Sequence, residues 1–127
     1  AAALRLREGP LLFCSFTDQA REWKTRKGLP FKDAAGDAYT GYGLFAALSF
    51  DDGKTWPVTK LVTPGDPPDG KKRLVEGTDG GPFELSKTMA ERGGYLCVVQ
   101  SPDGVIQLVS SRQHYAFNLA WVKEPAR

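Results

Sequence analysis

The chain has 127 residues, of which 41% are hydrophobic and 25% are charged, the composition of an ordinary globular protein. Its 17 basic and 15 acidic residues give a net charge of +2, too even a balance for a protein dedicated to nucleic acid or to a membrane surface. No apolar stretch approaches the roughly 18 residues of a membrane span, and Arg5 and Arg7 interrupt any apolar core of a secretory signal. We therefore expect a soluble protein of undefined compartment that needs no cofactor.

Short runs rich in Val, Leu, Phe and Tyr alternate with Gly, Pro and Asp turns along the chain, which is typical of β structure. Tight turns at Gly9 and at Asp103-Gly104 predict two hairpins. No window sustains a helical period, although Phe83–Arg92 has room for one helical turn. We predict an all-β fold with strands at Leu4–Arg7, Leu11–Phe16, Gly43–Phe50, Pro57–Val62, Tyr95–Gln100, Val105–Ser111 and Phe117–Val122.

Two long connections, Thr17–Tyr42 and Thr63–Gly94, interrupt this series, and connections of that length are usually functional or disordered. Four strands precede the second connection and three follow it. Each group opens with a hairpin, a pattern that predicts two antiparallel blades of a β-propeller, over about 4–62 and 95–122, in one partial unit. A blade cannot bury both faces alone. We therefore expect neighbouring blades, supplied by a homo-oligomer, in which a trimer would complete six blades, or by the remainder of a longer chain.

Residues 49–56, SFDDGKTW, match the Asp-box pattern Ser/Thr-x-Asp-x-Gly-x-Thr-Trp/Phe. The glycine permits a left-handed turn, the aspartate accepts hydrogen bonds from turn N–H groups, the threonine returns a hydroxyl bond, and the tryptophan covers the hairpin. A calcium loop needs further acidic ligands, ending in a Glu at its twelfth position, and they are missing. We therefore predict no metal and a structural role for the five motif residues: Ser49, Asp51, Gly53, Thr55 and Trp56.

With this motif in place, the chain resembles the sialidase (neuraminidase) superfamily, six-bladed β-propellers with Asp-box repeats. The segment GYGLFAALSFDDGKTWPVTKLV is similar to the third and fourth strands of a family blade. The segment GGYLCVVQSPDGVIQLVSSRQHYAFNLAWV is similar to the family's last blade. The resemblance covers about two of six blades, and it implies a glycan-processing protein, a glycoside hydrolase or polysaccharide lyase, that acts on or binds acidic carbohydrate.

The resemblance also places Tyr95 at the position of the family's nucleophilic tyrosine. Sialidases activate that tyrosine with a glutamate, use an aspartate as acid/base and clamp the substrate carboxylate with three arginines. Glu84 or Glu91 is a candidate to come near Tyr95 in space as that base, but neither lies on a family motif. The family's own glutamate and aspartate come from earlier blades, which this chain lacks. The alternative is that Tyr95 is an aromatic residue at a strand start that packs under a loop.

A second candidate site is the segment SRQHYAFN at 111–118. Arg112 and Asn118 are predicted to bind an acidic sugar, and His114 and Tyr115 to act as acid and base, as a polysaccharide lyase requires. Strand alternation puts Arg112 and His114 on one side of the chain and Tyr115 on the other. The alternative is a polar turn between two strands.

Two cationic clusters complete the candidates. Arg73, after two lysines, is predicted to attract an anionic sugar, and Trp23 and Tyr39 lie among basic residues that suggest a sugar-stacking edge: Arg21, Lys24, Arg26 and Lys27. Solvated loops are the alternative for both. Cys14 and Cys97 lie in apolar runs and are predicted to be buried free thiols. If the chemistry is absent, the chain is instead a non-catalytic carbohydrate-binding or assembly module, or an inactive propeller fragment.

Overall fold

A computed structural model describes residues 1–77 and 81–127, and the fold of this part of the chain is all-β. A 3₁₀ helix covers Ala20–Thr25 and a short helix, α1, covers Leu119–Lys123. The strands are β1 (Ala2–Arg5), β2 (Leu11–Phe16), β3 (Leu29–Lys32), β4 (Ala38–Gly41), β5 (Leu44–Ser49), β6 (Val58–Leu61), β7 (Arg73–Val75), β8 (Phe83–Leu85), β9 (Cys97–Gln100), β10 (Ile106–Val109) and β11 (His114–Phe117).

The strands form two larger antiparallel sheets. The first has the order β1-β2-β5-β6 and the second the order β11-β10-β9. This confirms the predicted all-β class and the grouping of four plus three strands, an arrangement consistent with partial propeller blades. The long connections carry strands of their own, because β3–β4 and β7–β8 are separate two-stranded hairpins.

The core draws on both larger sheets. Leu12 pairs with Leu48 and Cys14 with Ala46, so these four side chains share one face of the first sheet, and all are fully buried. Ile106 and Leu108 of β10 belong to the same hydrophobic cluster, as does Val122 of α1. Full burial of one such aliphatic side chain is worth about 1.5–3 kcal/mol, so this cluster is the main stabilising feature.

The first strand, predicted at Leu4–Arg7, is displaced to Ala2–Arg5, because Leu6 and Arg7 already belong to the turn before β2. Two further predicted elements are wrong. The segment predicted as a last strand, Phe117–Val122, is a strand only at its first residue and then becomes α1. Asn118 causes the change, because its side chain accepts a hydrogen bond from the Trp121 N–H at 2.9 Å and caps the helix. The predicted helical turn in Phe83–Arg92 is instead strand β8, a tight turn closed by backbone hydrogen bonds between Ser86 and Met89, and then chain without regular structure.

The strand register separates two ends of the molecule. Leu44 pairs with Phe16, whereas Ser49 pairs with Leu11, so the connection 17–43 and the hairpin 49–57 leave opposite ends of the first sheet. The Arg7 N–H donates to the Gln100 side chain at 2.8 Å, which fixes the second sheet in the same orientation. We call the end with connections 17–43, 62–96 and 110–113 the loop end, and the other the hairpin end.

Both cysteines are free, but only Cys14 is buried. The prediction is wrong for Cys97, since alternation along β9 turns Cys97 and Val99 outward and Val98 toward the core. Within the described residues, no helix has the length and apolar character needed to cross a bilayer.

Candidate functional site

The hairpin at 49–56 shows the hydrogen bonds expected of its motif. One oxygen of the Asp51 carboxylate accepts from the Thr55 N–H and from the Ser49 hydroxyl, both at 2.8 Å, and the other accepts from the Thr55 hydroxyl at 2.6 Å. These bonds, the Thr55 hydroxyl first, hold the pKa of Asp51 below its usual value. Gly53 has a φ of +90°, as the turn requires.

Trp56 covers this hairpin as expected. Its indole N–H donates to the Gly53 carbonyl at 3.2 Å, and its ring lies 5.9 Å from that of Phe13. The Asp51 carboxylate is thus saturated by its own turn. Among residues 1–77 and 81–127, no group of three or more His, Cys, Asp or Glu side chains is arranged to hold a metal ion.

Tyr95 lies at the loop end, just before β9. Its side chain is 89% exposed, so it does not pack under a loop. Its backbone N–H donates to the Ser111 hydroxyl at 2.9 Å, which places it beside the turn that carries Arg112. In the described structure, no side chain forms a hydrogen bond with the Tyr95 hydroxyl, so the base that a phenol nucleophile needs is not supplied by these residues.

The residues of the 111–118 segment point to different surroundings. The alternation predicted along the strand is present, with His114 and Ala116 exposed and Tyr115 and Phe117 turned inward. His114 bonds through its ring to the Gln107 side chain at 2.6 Å. His114 and Tyr115 both line a cavity of about 720 Å³ at the open edge of β11, which Asn118 also lines, but their side chains leave the strand on opposite faces.

The Tyr115 hydroxyl is committed to a buried carboxylate. It donates to Glu91 at 2.6 Å, and the Ser110 hydroxyl donates to the other oxygen of Glu91 at 2.9 Å. Glu91 has no exposed surface, and its backbone carbonyl accepts from the Leu44 N–H at 2.7 Å. Burial, then the hydrogen bond and charge of Glu91, raise the pKa of Tyr115 well above its ordinary value. This geometry anchors β11 to the connection 62–96 and keeps the phenol protonated.

The two remaining predicted binding residues lie on different elements. Arg112 is exposed in the turn beside Tyr95, with its guanidinium 4.0 Å from the Glu76 carboxylate. Arg73 begins β7, in a two-stranded hairpin outside both larger sheets. Arg112 is therefore the predicted cation that the fold brings to Tyr95.

A group of side chains that the sequence revealed only in part occupies the same end. The Arg26 guanidinium lies 5.1 Å from the ring centroid of Trp23 and 4.8 Å from that of Tyr42. The Arg92 guanidinium lies 5.2 Å from the centroid of Trp23 and 5.6 Å from that of Phe83. We call these five residues the arginine–aromatic stack.

Sequence reasoning found Trp23 and Arg26, because an aromatic residue among cations is a local signal. It missed Arg92, and it considered Glu91 beside Tyr95 rather than with its partners Tyr115 and Ser110, which come from a distant part of the chain. Tyr39, predicted with Trp23, belongs elsewhere: it stacks on Phe31, and the Lys87 ammonium lies 5.0 Å from its ring centroid. Comparison of the chain with protein-family models, with curated proteins and with solved structures gives no match.

Proposed function

We propose that the chain forms two neighbouring blades of a sialidase-like propeller that binds acidic carbohydrate at its loop end. The observation that carries the proposal is the position of Tyr95, which is exposed at this end beside the turn that carries Arg112. Its backbone N–H bonds to Ser111, which directly precedes Arg112 in sequence. Guanidinium groups bind carboxylates and sulfates through paired hydrogen bonds.

Turnover, in this proposal, depends on groups from further blades. A tyrosine nucleophile needs a neighbouring base, and Glu91 is engaged with Tyr115 and Ser110 rather than with Tyr95. The same observation favours the second candidate, a non-catalytic carbohydrate-binding module. The lyase route is not favoured, because His114 and Tyr115 leave β11 on opposite faces and Tyr115 is already bonded.

The outer face of the second sheet supports the need for further blades. Val99 is 57% exposed and Val109 is 47% exposed, and Cys97, paired with Val109, is exposed beside them. Gln107 and His114 share this face, but its exposed valines are more apolar than an outer sheet face in water usually is, so this part of the face is suited to packing against another blade. The blade comes from a second copy, as in a trimer of six blades, or from the remainder of a longer chain.

Two measurements test the proposal. Light scattering on a sizing column gives the absolute mass, and a mass of three chains supports the self-assembled ring, whereas a folded monomer removes it. Calorimetric titration with sialylated, uronate-containing and neutral oligosaccharides tests binding, and release of free sugar tests turnover. Arg112→Ala should weaken binding of acidic sugars, and Tyr95→Phe should abolish any turnover, while Lys54→Gln at the hairpin end is the control. Equal affinity for acidic and neutral sugars would refute the proposal.

A further inference from the structure

The arginine–aromatic stack carries two positive charges that no carboxylate of residues 1–77 and 81–127 neutralises through an ion pair. In the described residues, neither Arg26 nor Arg92 forms an ion pair with a carboxylate. The Nε of Arg92 is buried and has no hydrogen-bond partner in the same part of the chain. Buried polar groups in proteins are rarely left without a partner, so the position of this guanidinium needs an explanation beyond folding stability.

The nearest candidate for neutralising Arg26 is Asp18, whose pKa the charge of Arg26 helps to lower. Its carboxylate, however, accepts hydrogen bonds from the N–H groups of Lys27 and Gly28, at 2.7 Å and 3.0 Å, and from the Thr17 hydroxyl at 2.7 Å. These bonds outweigh the burial that alone would raise the pKa of Asp18. Asp18 therefore closes the loop that carries the 3₁₀ helix and leaves the guanidinium of Arg26 available to solvent.

Trp23 limits the distance between the guanidinium groups of Arg26 and Arg92. Both guanidinium carbons lie within 5.2 Å of the same ring centroid, so their separation cannot exceed twice that distance. A guanidinium held against an aromatic face loses less freedom on binding than one on a mobile chain. One N–H of Arg26 donates to the Trp23 backbone carbonyl at 3.3 Å, and the cation–π contact leaves its other donors free for a ligand. Two such groups held on one aromatic ring, with their separation limited by that ring, suit a ligand with two negative groups on adjacent sugars.

We propose that Arg26 and Arg92, positioned by Trp23, form a subsite that selects acidic oligosaccharides carrying two negative groups over those carrying one. This inference rests on the proposed binding of acidic carbohydrate at the loop end and specifies its substrate class. Arg92 precedes Tyr95 by three residues in sequence, so we expect the subsite to adjoin the acidic-sugar position proposed at Tyr95 and Arg112. The sugar ring contacts the exposed part of Trp23 while each acidic group receives one guanidinium.

The test uses lactose, its singly sialylated form and its doubly sialylated form as probes, with affinities measured by titration calorimetry at fixed salt. We expect the doubly acidic probe to bind at least about tenfold more tightly than the singly acidic one, because a charge-assisted hydrogen bond is added. Arg26→Gln and Arg92→Gln should each remove most of this advantage and leave the singly acidic probe nearly unaffected. Arg92→Lys, which keeps the charge but loses the planar fork, should recover only part of it.

The outcomes separate the two proposals. Equal affinities for the singly and doubly acidic probes would overturn the subsite and leave the proposed function standing. Failure of both acidic probes to bind would overturn both. Arg26 is exposed, so the Arg26→Gln variant remains a valid test even where Arg92→Gln unfolds the protein. Lys54→Gln removes one positive charge at the hairpin end and should change none of the affinities, so an equal loss in that variant would show a long-range charge effect and refute the subsite.

Discussion

The contact between Tyr115 and Glu91 distinguishes a structural role for Tyr115 from a chemical one. Two hydroxyl groups serve the fully buried Glu91 carboxylate, and Tyr115→Phe removes the one at 2.6 Å. Leaving a buried charged acceptor short of a donor costs about 2–3 kcal/mol. For a chain of this size that corresponds to a fall in melting temperature of roughly 8–12 °C.

Urea unfolding followed by circular dichroism measures this loss directly. Tyr95→Phe is the matched control, because its hydroxyl belongs to a side chain that is 89% exposed, and its free energy of unfolding should change by less than about 0.5 kcal/mol. The two variants should also differ in their effect on sugar, because Tyr95→Phe should abolish any turnover under the proposed function. Tyr115→Phe should keep its affinity for acidic oligosaccharides at a temperature where it is folded, since the phenol is turned into the protein.

The pH dependence gives a second measurement of the same contact. The pKa of Tyr115 is raised in the folded state, chiefly by burial, so folding favours the protonated phenol. The resulting stability is fully present below the unfolded pKa, about 10, and is lost as the pH rises above it. The difference in unfolding free energy between the wild type and Tyr115→Phe should therefore shrink above about pH 10. A free energy of unfolding for Tyr115→Phe within about 0.5 kcal/mol of the wild type would refute this account, as would a difference that is independent of pH.

Three further predictions concern stability and reactivity. Asp51→Asn should unfold more readily at pH 7, and its deficit against the wild type should vanish as the pH falls through the depressed pKa of Asp51, as measured by acid titration of circular dichroism. Gly43→Ala should prevent folding or lower the melting temperature severely, because φ is +110° and a Cβ would lie 2.4 Å from a backbone carbonyl oxygen; Gly36→Ala, with open space, should cost only about 1–2 kcal/mol. Cys97 should react at once with a thiol reagent at pH 8, whereas Cys14, whose pKa burial raises to about 12, should react only on unfolding.

The larger sheets could be predicted because their sequences carry local signals. β2 has the predicted bounds, and β5, β6 and β10 lie inside their predicted segments, since apolar runs end at Gly, Pro or Asp turns. The hairpins β3–β4 and β7–β8 were missed because their strands are only three or four residues long and lie among charged residues. Helix α1 was missed because apolar residues such as Trp121 and Val122 suit a buried strand as well as a helix. The residue that decides for the helix is Asn118, which caps its N-terminus.

The candidate site was less predictable for a related reason. Tyr95 could be located from a strand-start pattern, and Arg112 from its place beside a turn. Glu91 and Arg92 lie outside any helix or strand, and their contacts are with Tyr115 and Trp23, which are 24 and 69 positions away by residue number. A pattern along the sequence records local geometry, whereas these pairs exist only after the sheets have stacked.

The two ends of the molecule explain why its most specific motif says least about its chemistry. The hairpin at 49–56 satisfies the Asp51 carboxylate with hydrogen bonds from its own residues, so this carboxylate is not free to bind a ligand. Antiparallel pairing places the short turns that follow Leu6, Ser49 and Gln100 at the hairpin end. The same pairing places the long connections at the loop end. Tyr95, Arg112 and the arginine–aromatic stack are therefore assembled at the loop end, and the short hairpins hold the sheets that position them.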